Sequence, residues 1–439
     1  MPRLHDRAIP VARAARWGLL AVLLAGCSSI LDVNNPNNIA ESSLTNPASA
    51  DAQANGVVAS VSRALSGISN VYAVTTDELD WIGSRDAYRE LDQGGIGDYV
   101  NEYTDGAFPL VGEARYLGDA TIARLAAFDA AGTLKNRGSL AKTYLYTAVM
   151  YASIPDMFDD FALSNKTTPA KPIGRANMSK LYDTAVGYLD KALTIATAIN
   201  DATLKYQITA YRARVKHAKA VWAKITPTGQ TPANPLVADA GAVADATAAL
   251  ALATGDAKFT LLNNVEANAG INIWYEVNAR NENAIGHVYK NLIDPLTGAK
   301  DPTTAALVAQ FIAFGSQSGT FTLTSHRELR LILAEAALAS GNQAEFANQL
   351  NAVRAADNKP AWTGQIAALD MLKYERQAQL FLYRRRLADM FRFGQKAAEW
   401  TNTGNVPSTY SIPGLLFPIP NVERLANPCI LNASAPGCQ

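Results

Sequence analysis

Two groups of residues combine aromatic rings with hydrogen-bonding side chains, a combination that could bind a sugar. A sugar ring has apolar C–H faces, on which flat aromatic side chains stack, and polar edges whose hydroxyls need hydrogen-bond partners. The candidate ligand-binding residues are Trp81, Arg85, Asp86 and Tyr88 in the first group, and Trp274 and Tyr275 in the second. The alternative is that each aromatic side chain packs a loop onto a helix.

Catalytic and metal-binding chemistry has weaker support. A glycosidase needs two carboxyl groups at a set separation across a cleft, but acidic clusters such as those at 77–80 and 156–160 are more often helix caps. His217, His287 and His326 are far apart in the sequence and form no HExxH-like motif, and no CxxC motif occurs. We therefore expect no catalytic residue, no metal site and no cofactor.

A third group of charged residues lies near the C-terminus. It consists of Glu375, Arg376, Arg386, Asp389 and Arg392. Arg386 and Arg392 each lie three residues from Asp389, which places one carboxylate among several guanidiniums on a predicted helix. The apolar residues between them indicate that this helix is buried. The pattern favours a structural clamp that holds the helix to neighbouring loops, with an anion-binding site as the alternative.

The N-terminus has the features of a secretory signal. Four arginines precede a nine-residue apolar run at 17–25, which is too short to span a bilayer. The run ends in Leu24-Ala25-Gly26-Cys27, which resembles the bacterial lipobox and implies a lipid on Cys27. The sequence predicts a signal peptide at 1–26, a lipidated Asn/Ser/Pro-rich tether at 27–48 and a single domain at 49–439.

Composition excludes several classes of protein. Among 439 residues, 39 basic and 39 acidic side chains cancel, which argues against binding nucleic acid through bulk charge, and an apolar content of 49% excludes global disorder. The chain has three cysteines. If Cys27 carries lipid, Cys429 and Cys438 remain as a pair, and an oxidising compartment favours a disulfide between them over two free thiols.

Apolar periodicity predicts a mostly α-helical scaffold built from helical hairpins. Helical spacing is clear at 139–152 and 211–222, and Ser325-x-x-Glu328 forms a capping box before a helix that ends at Gly341-Asn342. A second helix follows directly. Such pairs resemble tetratricopeptide units, although no strict 34-residue period occurs. Long irregular insertions are predicted at 72–116, 153–177, 226–236, 263–324 and 394–439, where binding residues are typically found.

The order and spacing of five segments resemble the RagB/SusD family of outer-membrane nutrient-binding lipoproteins. The segments are the lipobox with Ile30-Leu31-Asp32, the stretch 71–78 ending in Asp77-Glu78, Tyr151-Ala152-Ser153-Ile154-Pro155, the helix 331–336 followed by Asn351-x-Val353-Arg354, and Glu375-Arg376 with Arg386, Asp389 and Arg392 before Phe417-Pro418-Ile419-Pro420. The chain departs from the family pattern at Tyr383-Arg384, where the family usually has Glu-Gly.

The resemblance implies a SusD-like helical domain with loop-rich ligand-binding insertions and no enzymatic activity. It implies a lipid-anchored protein of the outer membrane, facing the cell surface, that captures an oligosaccharide or another small nutrient. Its partner would be a SusC-like TonB-dependent transporter, on which it acts as a lid. Two alternatives remain: a periplasmic helical-repeat scaffold or assembly lipoprotein, and a helical glycoside hydrolase or lyase.

Overall fold

The computed structural model describes residues 41–165, 167–226, 228–263, 272–316, 318–400 and 411–438. The predicted signal peptide, Cys27 and most of the tether lie outside these residues. The chain divides into two compact units, Met1–Asn46 and Pro47–Gln439. The described part of the first unit contains the 3-10 helix Glu41–Thr45.

The second unit is mostly α-helical in its described residues. Its helices are α1 (Ala50–Thr75), α2 (Asp86–Asp92), α3 (Glu102–Ala130), α4 (Arg137–Met157), α5 (Lys180–Ala198), α6 (Ala202–Ile225), α7 (Ala240–Leu252), α8 (Ile273–Asn278), α9 (His287–Lys290), α10 (Pro302–Ala313), α11 (His326–Ala339), α12 (Gln343–Ala355), α13 (Ala368–Gln379), α14 (Arg386–Phe393), α15 (Asn421–Ala426) and α16 (Pro428–Leu431). Short strands form two antiparallel pairs: β1 (Leu79–Trp81) with β3 (Asn283–Ile285), and β2 (Lys258–Asn263) with β4 (Gly319–Ser325).

Consecutive helices pack as pairs. Helix α4 packs on α5, α5 on α6, α6 on α7 and α11 on α12, while α1 packs along α3. Polar caps begin several of these helices: Asp201 accepts a hydrogen bond from the Leu204 N–H at 2.9 Å, and Asn342 accepts one from the Glu345 N–H at 3.1 Å. The predicted mostly α scaffold of helical hairpins is confirmed.

Two local predictions need correction. Ser325 caps α11 by accepting from the Glu328 N–H at 3.2 Å, but the Glu328 carboxylate does not complete the capping box. It accepts instead from Arg214 of α6, at 2.9 and 3.1 Å, because both side chains are buried between α6 and α11. The insertions are also more helical than predicted: α2 and the first part of α3 lie within 72–116, and α8 to α10 lie within 263–324.

These helices were not predicted from the sequence because the residues at their N-termini are of types that are also common in loops. Asn101 caps α3 by accepting from the Tyr103 N–H at 3.1 Å, and Asp301 caps α10 by accepting from the Thr304 N–H at 2.7 Å. Pro109 lies inside α3 and obscures its periodicity. The helix propensity of this segment alone would not make α3 stable. Burial of one face of α3 against α1 supplies the missing stability.

The core surrounds α1, which has 26 residues and is almost continuously buried from Val61 to Thr75. The segment 47–75 is long and apolar enough to cross a membrane by length and composition, but 78% of its apolar window is buried inside the protein. Buried tyrosines and leucines of α4, α5 and α6, such as Tyr144, Leu189 and Tyr211, belong to the same core cluster. Helix α1 therefore acts as the central core helix of the described unit.

The C-terminal charged group forms a buried network of ion pairs. Arg376 and Arg392 both bind Asp389 at 2.9 Å, and Arg392 also binds Glu335 of α11. Burial would raise the pKa of Asp389, but the two guanidiniums lower it. Glu375, the neighbour of Arg376 on α13, binds Arg354 at 2.6 Å. These contacts join α11 to α14 and agree with a structural clamp.

Arg386 differs from its predicted position. It binds Asp77, with the Nε–Oδ1 atoms 2.7 Å apart, rather than Asp389. The reason is that Asp389 is already bound by Arg376 and Arg392, and Arg386, at the first position of α14, faces the end of α1. The helix is consequently clamped on two sides, by separate carboxylates.

The turn before α14 has an unusual backbone. Leu382 and Arg384 have φ angles of 60° and 59°, in the left-handed region that favours glycine. Position 384 is where the RagB/SusD pattern usually has Gly. The Leu382 N–H donates to the Glu78 Oε1 at 2.5 Å, and the Tyr383 carbonyl accepts from Arg214. Tertiary hydrogen bonds thus hold a conformation that these side chains disfavour.

Candidate functional site

A cleft of about 290 Å³ lies between α1, α2 and α3. Its polar and aromatic lining residues are Asn70, Arg85, Tyr88, Glu102, Tyr103 and Arg280. Helix α1 provides the floor, and the segment that precedes α2 carries Arg85. Aromatic rings, amides and charges of both signs therefore meet in one concave surface.

Two tyrosines form the aromatic part of the cleft. The rings of Tyr88 and Tyr103 are stacked, with their centroids 3.5 Å apart and their planes 8° from parallel. Tyr88 is buried, and its hydroxyl accepts from the Asn70 Nδ2 at 2.6 Å. Tyr103 is half-buried. Burial, together with Glu102 and Glu276, raises the pKa of Tyr103 to about 12, so its hydroxyl is protonated at neutral pH and can donate a hydrogen bond.

Charged groups lie beside this aromatic pair. Arg280 binds Glu276 of α8, with the Nη1–Oε1 atoms 2.9 Å apart. The second oxygen of Glu276 is buried without a hydrogen-bond partner, and so is Oδ1 of Asn283, whose amide nitrogen donates to Asn70 at 3.3 Å. Burial raises the pKa of Glu276, although Arg280 opposes the shift. Buried polar atoms without partners are exceptional in folded proteins, and each of them needs a physical explanation.

The segment that carries Arg85 is fixed by Glu282. One Glu282 oxygen accepts from the backbone N–H groups of Ser84 and Arg85 at 2.9 and 3.0 Å, and the other accepts from the Ser84 hydroxyl at 3.1 Å. Burial would raise the pKa of Glu282, but these hydrogen bonds lower it. Gly83 permits the close approach, since a Cβ there would lie 2.1 Å from a Glu282 oxygen. The cleft wall is therefore pre-organised.

No protein-family model matches this chain, and no curated protein matches it. Solved structures do match. A SusD-like carbohydrate-binding protein from Bacteroides vulgatus ATCC 8482 superposes with a TM-score of 0.58 at 12% identity, covering 87% of this chain and 97% of that chain. This chain has a SusD-like fold. The fold implied by the RagB/SusD resemblance is confirmed.

Two further structures support the same SusD-like fold. A SusD-like protein from Bacteroides fragilis NCTC 9343 has a TM-score of 0.58 at 10% identity and covers 89% of this chain and 98% of that chain. A laminarin-binding SusD-like protein has a TM-score of 0.50 at 13% identity, and the match covers 86% of this chain and 97% of that chain. The likeness extends over nearly the whole length of these proteins.

Within the SusD-like fold, two of the four residues of the first predicted group lie in the cleft, and Trp81 and Asp86 are not among its lining residues. Arg85 and Tyr88 line it. Asp86 is exposed and pairs with Arg89 at 3.2 Å, and the Arg89 guanidinium lies 5.8 Å from the centroid of the half-buried Trp81 ring. Tyr103 and Arg280 were not among the predicted ligand-binding residues, because their only signal in the sequence was their position in segments predicted to be irregular.

The second predicted group lies elsewhere in the SusD-like fold. Trp274 is 2% exposed, and its ring centroid lies 5.6 Å from that of Phe311 and 4.7 Å from that of Phe321. Gly319 makes room for it, since a Cβ there would lie 2.0 Å from the indole ring. Tyr275 is half-buried. Trp274 offers no open face to a sugar here, whereas Arg280, just after the same helix, reaches the cleft.

One residue of each acidic cluster is bound to an arginine. Asp77 pairs with Arg386, and Asp156 pairs with Arg385 at 2.7 Å. His217 is buried and lies 3.0 Å from Glu335. Burial lowers the pKa of His217, so it is neutral at neutral pH. The predicted cysteine pair is bonded, joining Cys429 to Cys438 across a Cα–Cα distance of 5.7 Å.

Proposed function

We propose that this protein is a divergent RagB/SusD-type lipoprotein that binds an oligosaccharide, or another small nutrient with hydroxyl groups, in the cleft at Tyr103. It breaks no bond in its ligand. The observation that carries this proposal is the combination of a SusD-like fold with a pre-organised cleft that joins a stacked tyrosine pair to two arginines.

The binding mode follows from the lining residues. One face of the Tyr103 ring rests on Tyr88, so a sugar would stack on the ring from the cleft side. Arg85 and Arg280 would donate to hydroxyls, and Glu102 would accept from them. Because Glu282 already holds the Arg85 segment, little conformational entropy would be lost on binding.

The proposed location rests on the N-terminal sequence. A lipid on Cys27 would anchor the domain, and two or more acyl chains are needed for stable membrane attachment. At the outer-membrane surface the protein would act as the lid of a SusC-like TonB-dependent transporter and deliver its ligand to the pore. Loss of palmitate labelling in the Cys27→Ser variant is the expected result, and a wild-type protein that takes up no label would contradict the anchor.

A glycan array with site variants tests the cleft. Tyr103→Ala and Arg280→Ala should each reduce binding of any glycan that the wild type retains by at least about tenfold, as is typical for a central binding residue. Tyr116→Ala is the matched control, because Tyr116 is another half-buried tyrosine of α3, about 20 Å further along the helix. Unchanged binding in both cleft variants would remove this cleft from the proposal.

Copurification tests the partner. From outer membranes solubilised in detergent, we expect the wild-type chain to bring down a large β-barrel protein. Recovery of periplasmic peptides without a barrel would instead favour the helical-repeat scaffold, and shortened products from a retained glycan would favour the hydrolase or lyase.

A further inference from the structure

Three side chains that are distant in sequence meet beside the β1–β3 pair. Asp80 lies on β1, His287 is the first residue of α9, and Glu399 follows α14. The Nδ1 of His287 lies 3.2 Å from Asp80 Oδ2 and 3.4 Å from Glu399 Oε1. One potential ligand atom from each residue lies within 4.8 Å of the others.

The carboxylates of this group are short of partners. Asp80 Oδ1 and Glu399 Oε2 are buried atoms with no hydrogen-bond partner. Within the described residues, neither carboxylate forms an ion pair with a lysine or an arginine, and His287 is the basic side chain that contacts both. This contrasts with Asp389, which two guanidiniums bind.

A fourth residue of the protein interior interacts with this group. Asp92, at the end of α2, is only 7% exposed and interacts electrostatically with Asp80, His287 and Glu399. Its hydrogen bond in the described structure comes from the Trp81 N–H at 3.2 Å. The carboxylates of Asp80 and Glu399 thus share one imidazole, which can balance at most one of their charges, and burial together with Glu399 and Asp80 raises the pKa of Asp92 to about 7. A bound cation would remove this imbalance.

The donor atoms indicate which cation fits. Zn²⁺ binds imidazole nitrogen and carboxylate oxygen at about 2.0–2.2 Å, which places neighbouring ligand atoms of a tetrahedral site about 3.3–3.6 Å apart. The two distances from His287 Nδ1 are close to this edge length. Calcium and magnesium prefer sites made of oxygen alone. The Asp80 Oδ2 also accepts from the His287 N–H at 2.7 Å, which orients the two residues relative to each other.

We propose that Asp80, His287 and Glu399 bind one Zn²⁺ ion, with Asp92 as the buried carboxylate behind it. The His287 side chain is 53% exposed, so the ion has access from solvent and a water molecule can complete its coordination. The ion joins β1, the start of α9 and the segment after α14. Because β1 leads directly into the segment that carries Arg85, the ion also stabilises the wall of the cleft.

Metal binding is tested on the full chain in detergent, stripped with a chelator and then dialysed. We expect one site by calorimetric titration of this stripped protein with ZnCl₂, and one zinc per chain by elemental analysis after it is reloaded with ZnCl₂ and dialysed again. Replacing Zn²⁺ with Co²⁺ should produce the visible absorption bands of a four-coordinate cobalt site with a nitrogen ligand. Less than about one-tenth of a zinc per chain would overturn the proposal.

Three variants identify the ligands. His287→Ala and Glu399→Gln should each weaken zinc binding by more than about tenfold and abolish the cobalt bands, whereas His326→Ala should leave both unchanged. Far-UV circular dichroism confirms that each variant is folded. Zinc binding that survives His287→Ala would place the ion elsewhere and refute the site. Since zinc is measured without any glycan, failure of the sugar-binding proposal would not affect this outcome.

Discussion

Replacing Glu335 by Gln gives a direct measure of the charged network that joins α11 to α14. Glu335 is fully buried, and its oxygens accept from the Val237 N–H at 3.0 Å and from the Arg392 guanidinium. His217 lies 3.0 Å away and Arg376 lies 3.6 Å away. Burial would raise the pKa of Glu335, but Arg392, His217 and Arg376 lower it well below its usual range.

Glutamine keeps the shape of the side chain and removes its charge. Asp389 then remains as the carboxylate facing both Arg376 and Arg392, so one buried guanidinium loses its counter-charge. Breaking a buried pair in this way costs about 3–5 kcal/mol of unfolding free energy. An exposed pair is worth about 0–1 kcal/mol, so Glu113→Gln is the control: Glu113 is 59% exposed and lies 4.0 Å from Arg63.

Urea unfolding followed by tryptophan fluorescence measures the difference. The midpoint of Glu335→Gln should fall well below that of the wild type with an unchanged slope, while the midpoint of Glu113→Gln should stay within error. A depressed carboxyl pKa stabilises the folded state above about pH 4.3, and this contribution declines as the pH falls towards the folded-state pKa. The effect of Glu335→Gln should therefore shrink in acid. Equal midpoints for the two variants at pH 7 would refute the reasoning.

Three further outcomes follow from burial and connectivity. Burial raises the pKa of Glu78 to about 8. The stability that its protonated form provides is therefore lost as the pH rises through about 8. In urea titrations, Glu78→Gln should stabilise the protein more at pH 9 than at pH 5. Trp274→Ala should lower the unfolding free energy by about 3–5 kcal/mol through a core cavity, and an unchanged urea midpoint would contradict its burial. Cys438→Ser should remove a constraint worth about 2.5 kcal/mol that acts only locally, so amide exchange should rise in α16 while α1 stays protected.

Only some of the proposed binding residues can be predicted from the sequence. Arg85 and Tyr88 could be predicted because they are near each other in the chain and combine the right chemistry. Tyr103 and Arg280 could not be, because they meet only when α3 packs on α1 and the end of α8 reaches the same cleft. Trp274, like Tyr88, has aromatic and polar residues close to it in the sequence. In the folded protein, however, three phenylalanines surround its ring.

The sequence by itself determined the helical class, the hairpin pattern and the resemblance to RagB/SusD proteins, since each depends on periodicity and on spacing along the chain. Tertiary structure alone decided that Arg386 binds Asp77, and that Asp80, His287 and Glu399 converge. Periodicity reports which face of a helix is buried, but not which distant carboxylate a guanidinium will meet. That choice depends on how helices and loops separated by more than three hundred residues pack against one another, which is a property of the whole fold.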